Sequence, residues 1–316
     1  MKHIFERDTE MVEFVMLVGL PGSGKSTYAK NNYPDYHIFS SDAIRGELFG
    51  DEGIQGDNVK VFRILHDRII SSLSKGISCV YDATNLSYKN RVDFLNRVTS
   101  VEKKCHITIK KTCMVIVRSI DGCKKMNARR DRVVPEFVID RMVRNFWCPG
   151  FFEGWDVISF TTMDSSPALP DFDMNQDNPH HTVSLLKHME KTQQFILKNY
   201  GYDKCLSVAA VFHDIGKYYT KSFLDSKGIR TPVAHYYNHE NYGAYIMLHW
   251  FLDVYSENND STSVAEIIHI ILLINWHMRP YVWEKSKNAE DKDYRIIGDV
   301  LFNDLVILNK ADRVAH

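Results

Sequence analysis

The sequence predicts an α/β domain, a parallel sheet wrapped by helices, followed by an all-α domain. Three observations carry this. Short apolar runs alternate with amphipathic stretches up to about residue 160. A proline-bearing segment without periodicity then interrupts the pattern, and beyond it strand-like runs disappear. A length of 316 residues also favours two domains over one.

In order, FVMLVG, YHIFS, ISCVYDAT, ITIKKTCMVIV and WDVISF read as strands. GKSTYAKNNY, NVKVFRILHDRIISSLSK, YKNRVDFLNRVTS and PEFVIDRMVRNF read as the helices between them. Alternation of this kind is the signature of a parallel sheet with crossover helices. TTMDSSPALPDFDMNQDNP, with three prolines, reads as the linker. The expected organisation is one domain over 1–165, a linker over 166–178 and a second domain over 179–316. In the second, HHTVSLLKHMEKTQQFILKNY, CLSVAAVFHD, HENYGAYIMLHWFL, VAEIIHIILLINWH and IIGDVLFNDLVILNKADRVAH have helical length and period. No internal repeat or low-complexity segment is present.

Composition narrows the class. With 44% hydrophobic and 25% charged residues the chain is globular, and a net charge of −1 gives no global basic field. A nucleic-acid partner would have to be held by a local groove. Six scattered cysteines without a CxxC pair read as buried, reduced thiols. No apolar run reaches the roughly 20 residues of a membrane span. The start, MKHIFERDTE, has no apolar core of a signal peptide. The expectation is a cytoplasmic protein without membrane contact.

GLPGSGKST follows the first strand and opens a helix, fitting G-x-x-x-x-G-K-[ST] in its required context. Gly19, Gly22, Ser23 and Gly24 would let backbone N–H groups close on phosphates, aided by the helix dipole. Lys25 would reach the β- and γ-phosphates, Ser26 would hold Mg²⁺, and Thr27 completes the motif. The predicted fold of this half is thus a P-loop NTPase, binding ATP or another nucleoside triphosphate with Mg²⁺.

The acceptor side follows. SSDAIRGEL places Asp42 on the same rim of the sheet, where a carboxylate can take the proton of an attacking hydroxyl. Arg45, one turn on, would pair with an acceptor phosphate; alternatively Ser41 or Asp42 caps a helix. DATNL puts Asp82 at the end of the third strand, supporting Mg²⁺ or the acceptor. Thr84 and Asn85 are neutral donors there, and Arg91 lies further along a helix. Arg129, Arg130, Arg132 and Arg141 surround a loop before a Pro135-initiated helix. They read as a cationic lid over the γ-phosphate or as a solvated charged face.

The order GLPGSGKST, SSDAIR, DATNL, NARRDRVVPEFVIDRM resembles the P-loop kinases related to phage-type polynucleotide 5′-kinases, over residues 12–160. The resemblance implies Asp42 as general base toward a 5′-hydroxyl, Arg45 as a contact to substrate phosphate, and Arg130 and Arg132 as lid arginines. Where relatives often read R-N-x-x-R, this chain has Met126-Asn127-Ala128-Arg129-Arg130, so the first lid arginine is absent. Small-molecule kinases share the same superfamily.

VAAVFHDIGKYYT, in the second half, sets His213 beside Asp214 at the end of an apolar stretch. Adjacent side chains on a helix point about 100° apart, so convergence on one cation needs distortion at the helix end. His181 and His188, seven apart, share a face. His239, His277 and Asp312 each sit beside apolar residues on other helices. His188, His213, Asp214 and Asp312 would hold one ion, and His239 and His277 a second bridged through Asp214. Nitrogen and oxygen donors suit Mn²⁺, Fe²⁺, Ni²⁺, Co²⁺ or Zn²⁺.

The pattern H…HD…H…H…D resembles the HD phosphohydrolase superfamily, over residues 178–316. HDIGK, H-E-x-x-G-A and a histidine seven before the first ligand are similar to the HD domain attached to some bacterial tRNA nucleotidyltransferases. The resemblance implies metal-activated water attacking a phosphomonoester or cyclic phosphodiester. Lys217, and with it His181, would contact the phosphate; the other reading of Lys217 is a solvated lysine.

A kinase that adds a 5′-phosphate and a hydrolase that removes a 2′,3′-cyclic or terminal phosphate share a purpose in healing broken RNA or DNA ends before an RNA ligase acts. Proteins that combine these domains in the opposite order are the resemblance behind this expectation. The alternatives are a small-molecule or nucleoside kinase fused to an HD nucleotidase, and a non-catalytic nucleotide-sensing regulator.

Overall fold

The computed structural model describes residues 11–52, 56–179, 182–258 and 263–315, except for the side chains of 255–258. The five expected strands are present: β1 (Val12–Val18), β2 (His37–Ser40), β3 (Cys79–Asp82), β4 (Ile109–Val117) and β5 (Val157–Thr162). They form one parallel sheet in the order β2-β3-β1-β4-β5. Central β1, VEFVMLV, is nearly all apolar because a parallel strand is covered on both faces; Phe14 through Val18 are fully buried.

The helices of this half are α1 (Lys25–Asn32), α2 (Ser41–Phe49), α3 (Asn58–Leu73), α4 (Tyr88–Cys105), α5 (Ile120–Asn127) and α6 (Glu136–Val143). Side chains fix where several begin. Ser40, Asp57, Ser87 and Ser119 each accept a backbone N–H of the following first turn. Neither Ser41 nor Asp42 caps α2; Ser40 does, which leaves the Asp42 carboxylate available for other partners.

The second half consists of α7 (Leu185–Tyr200), α8 (Lys204–Phe212), α9 (Gly216–Thr220), α10 (His239–Asn258), α11 (Val264–Trp276), α12 (Pro280–Trp283) and α13 (Lys287–Val314). The last is interrupted at Gly298, whose φ of 75° breaks the helix. The expectation of a strand-free second half needs correction. Ser222–Leu224 (β6) and Arg230–His235 (β7) form an antiparallel hairpin, because the Asp225–Gly228 segment closes a tight turn. Helix α11 is strongly apolar and buried throughout from Ile270 to Trp276, with α8, α10 and α13 packed against it. Among the described residues no helix is long and apolar enough to cross a membrane. All six cysteines are free; four are buried, Cys205 is half-buried and, against expectation, Cys105 is exposed.

The two halves share one apolar core. Trp276, at the end of α11, meets Tyr88, Trp147 and Phe152 edge-on at ring-centre distances of 5.8, 5.4 and 5.9 Å. Beside it Asn275 accepts the Cys148 N–H at 2.8 Å and donates to the Phe146 carbonyl at 3.2 Å. The described residues of 163–184 contain no helix or strand, yet the segment is packed: Ser166 donates twice to Asp253 and Phe172 is buried.

Candidate active sites

The first site sits at the C-terminal edge of the sheet, where ligands of open α/β sheets bind. Gly22 has φ of 79°, and a Cβ there would come within 2.3 Å of the Cys123 carbonyl, so only glycine fits. Gly24, φ 100°, begins α1 without a side-chain cap, leaving the first N–H groups of the helix for an anion. The Lys25 ammonium donates to Leu20 O at 2.8 Å, holding the loop closed around itself. Burial lowers its pKa, against the pull of Asp82. The Ser26 hydroxyl donates to Asp82 Oδ2 at 2.6 Å. Ser23 is buried, whereas Thr27 is exposed; the Gly19 N–H ties the loop to Thr84 O at 3.0 Å.

Lys25, Ser26, Asp42, Arg45, Asp82, Thr84, Arg130, Arg132 and Arg141 line one cavity of about 610 Å³. Asp42 is its electrostatic hub. It accepts from Arg45 Nη1 at 3.0 Å, from Arg130 Nη2 at 3.0 Å, and from Arg132. Asn127 clamps the loop between α5 and α6, exchanging two hydrogen bonds with the backbone of Val134 at 2.8 and 3.0 Å. Arg129 is exposed and does not line the cavity. A carboxylate, a lysine, a hydroxyl with its acid, and four guanidinium groups on one cavity can position a triphosphate opposite a hydroxyl.

Asn85, read as a donor to this site, and Arg91, read as lying further along a helix, both serve the loop rather than the cavity. The Asn85 amide, at φ 47°, donates to Leu17 O at 2.8 Å, and the residue lines an adjoining cavity rather than that of Asp42. Arg91 is wholly buried. Its guanidinium is bidentate to Glu153 at 2.8 and 2.6 Å and braces the carbonyls of Asn85 and Leu86, so it shapes the loop from behind.

The second site gathers six buried side chains from five helical positions. His188 Nε2 lies 3.3 Å from Asp214 Oδ2 and 3.0 Å from Asp312 Oδ1; His213 Nε2 lies 3.5 and 3.6 Å from the same two atoms. The other oxygen of Asp214 faces His239 Nε2 at 3.0 Å and His277 Nε2 at 3.5 Å. The sets His188–His213–Asp214–Asp312 and Asp214–His239–His277 each fit around one ion, with Asp214 shared. His213 caps α8, and Asp214 lies in the turn before α9. That break is how neighbours in sequence point to one place. Gly216 makes the approach of α10 possible: a Cβ there would lie 1.9 Å from the His239 carbonyl.

The donors fit divalent cations. The Nδ1 atoms of His213, His239 and His277 each lie 2.8–2.9 Å from a backbone carbonyl, which only an N–H can satisfy. The Nε2 lone pairs are thereby turned inward. His239 and His277 bring theirs to 3.1 Å of each other, and buried His213 Nε2 makes no hydrogen bond. Burial works against ionisation of Asp214 and Asp312. Even so, Lys217 with the histidines for Asp214, and His188 with His213 for Asp312, hold both well below the ordinary carboxylate range. Burial disfavours charged His188, but these carboxylates outweigh it and push its pKa up to about 9. A buried, doubly anionic nest of inward nitrogens calls for a cation.

Lys217 is buried rather than solvated, 2.6 Å from Asp214 Oδ2 and 3.3 Å from Gln176 Oε1. His181 lies outside the described residues. Three residues were not foreseen. Buried Gln176 comes from the segment read as linker, Tyr236 donates to its carbonyl, and the Tyr281 hydroxyl donates to Asp312 Oδ2 at 2.8 Å. Single polar residues carry no sequence signal for such convergence.

Comparison with known proteins agrees with this division. Residues 14–149 match the family model of the AAA domain, and residues 181–315 match that of the HD domain. The chain carries a P-loop kinase-like domain followed by an HD domain. Among solved structures it is similar to a chain of the Pnkp1/Rnl/Hen1 RNA repair complex. The identity is 22%, over 43% of this chain and 44% of that one, with a TM-score of 0.37. A second structure of the Pnkp1/Rnl/Hen1 complex matches at 22% identity over 40% of each chain, TM-score 0.32. A proposed kinase from Chloroflexus aurantiacus matches at 13% identity over 48% of this chain and 85% of that one, TM-score 0.37. The chain thus spans less than half the length of the first two.

Proposed function

We propose that the protein heals nucleic-acid ends, as an ATP-dependent polynucleotide 5′-hydroxyl kinase and a metal-dependent phosphohydrolase acting on 2′,3′-cyclic or terminal phosphates. The observation that carries the kinase half is the placement of Asp42 across one cavity from Lys25 and Ser26, with arginines on either side. In this reading Lys25 and the glycine loop hold the triphosphate, and Ser26 with Asp82 holds Mg²⁺. Asp42 takes the proton of the attacking hydroxyl, and Arg130 and Arg132 turn from Asp42 to the transferring phosphoryl group, where positioning and charge stabilisation do most of the work. Arg45 stays with the acceptor.

In the HD half, His188, His213, Asp214 and Asp312 hold one ion, and His239 and His277 with Asp214 a second. Ions so held supply Lewis acidity toward a phosphoryl oxygen. Lys217 orients Asp214 and contacts the phosphate. Strand breakage that leaves a 5′-hydroxyl and a 2′,3′-cyclic phosphate needs both corrections before an ATP-dependent ligase can join the ends, which gives the two chemistries one purpose.

The test is incubation of a 5′-hydroxyl, 2′,3′-cyclic-phosphate oligonucleotide with ATP, Mg²⁺ and Mn²⁺, following both termini. Gain of a 5′-phosphate together with loss of the cyclic phosphate is expected. Phosphoryl transfer to nucleosides or metabolites but to no strand would overturn the reading. So would ATP consumption without an acceptor-dependent product or any phosphate release.

A further inference from the structure

A second cavity, of about 630 Å³, adjoins that of Asp42 and shares Asn58, Phe62, Thr84 and Met142 with it. Its floor is aromatic. His66, Tyr81 and Phe94 pack with ring centres 4.6–5.6 Å apart, and the His66 Nε2 and Tyr81 hydroxyl are 2.9 Å apart. Phe62 forms the wall toward Asp42, with the Arg45 guanidinium 6.0 Å from its ring centre. The exposed amides of Asn90 and Asn145 stand at the rim.

The chemistry of this lining selects its occupant. Its one guanidinium, Arg97, is paired with Asp67 at 2.8 Å, so the cavity offers no unneutralised cation for a phosphate. Aromatic faces favour a flat, neutral ring, and amides can meet both donors and acceptors on its edge. The volume lies in the range of small-ligand sites. Thr84 and Phe62 line both this cavity and that of the carboxylate proposed as base.

We infer that this cavity binds the base of the acceptor's 5′-terminal nucleotide, stacked against the half-buried rings of Phe62 and His66, which Tyr81 and Phe94 back from the core, so that the enzyme acts on ends whose last base is unpaired. This rests on the reading of the adjoining cavity as a 5′-hydroxyl kinase site. Arg45, in the first cavity, is bonded to Asp42 at 3.0 Å and to Asn58 Oδ1 at 2.9 Å, and Asn58 lines both cavities. The base and the reacting hydroxyl are therefore addressed by one connected set of groups.

The experiment compares single-stranded 5′-hydroxyl oligonucleotides that differ only in whether the first residue carries a base or is abasic. Loss of one stacked base should raise the acceptor KM about tenfold, with the KM for ATP unchanged. Phe62→Ala should abolish the roughly tenfold difference in KM between the base-bearing and abasic strands. Val59→Trp, on a cavity residue that is 81% exposed, obstructs the opening without touching the core and should do the same if Phe62→Ala fails to fold. Equal KM values for the two strands in the wild-type protein would overturn the inference while leaving the kinase reading intact. Phosphorylation of small molecules but of neither strand would overturn that reading, and this one with it.

Discussion

The Ser26 hydroxyl donates to Asp82 Oδ2 across 2.6 Å, joining the first turn of α1 to the end of β3. The pair comes from segments 56 residues apart. It sets the oxygen atoms of a hydroxyl and a carboxylate side by side, and in the proposed reading the two share a Mg²⁺ ion. Asp82→Asn keeps the shape and removes the charge. It is expected to lower kinase kcat/KM about a hundredfold and to raise the Mg²⁺ concentration needed for half-maximal rate, without changing phosphate release. A Mg²⁺ titration of labelled γ-phosphate transfer checks this.

The two centres use disjoint residues, so their losses should separate. Lys25→Ala or Asp42→Ala is expected to abolish phosphoryl transfer and spare phosphate release; Asp214→Ala is expected to do the reverse. Dialysis against a chelator, followed by Mg²⁺ alone, should leave kinase activity and remove phosphate release, with Mn²⁺ restoring it. If one substitution silenced both activities in a protein that melts normally, the two-centre reading would be wrong.

Arg91 and Glu153 form an ion pair from which solvent is excluded on both sides, with Trp155 Nε1 donating to the same carboxylate at 3.0 Å. Removing one partner strands a charge in the interior, which costs about 3–5 kcal/mol. Glu153→Gln should therefore lower the urea midpoint severely. Replacing both residues by apolar ones of similar volume, Arg91→Met with Glu153→Leu, should restore most of the loss.

His66 is half-buried, and burial first of all, with Arg97 nearby, lowers its pKa from 6.5 to about 4. Its folded value lies below its unfolded one, so between these values the unfolded chain binds the proton more readily. Its contribution to stability is complete above pH 6.5 and is lost as pH falls toward 4. Allowing for solvent screening at this partly open site, the slope is up to about 1 kcal/mol per pH unit. Urea midpoints at pH 7 and pH 5 should differ less in His66→Gln than in the wild type.

Much of this was legible in the sequence, for identifiable reasons. Central strands of a parallel sheet are apolar on both faces, so FVMLVG and MVIV stand out, and the glycine loop is confined to a strand-to-helix turn. The six buried histidines and aspartates of the second site are conspicuous because such residues are rare beside apolar helix faces. The hairpin of β6 and β7 was not legible: its strands are short and half polar, and only the SKG turn marks it. Helix α5 was missed because eight residues give little periodicity. The buried pairing of Arg91 was not legible because its partner lies 62 residues away. Gln176, Tyr236 and Tyr281 reach the metal-ligand cluster through tertiary packing alone.

Asn275 serves main-chain groups of the first half from a helix of the second, and its amide also donates to the Asn241 side chain at 3.2 Å. A gene truncated between the halves would leave these polar groups facing solvent on one fragment, and Trp276 protruding from the other. The two fragments are therefore expected to be insoluble apart and to recover when co-expressed. The intact chain should show a single calorimetric peak, so that heat inactivates both chemistries together even though their residues are separate.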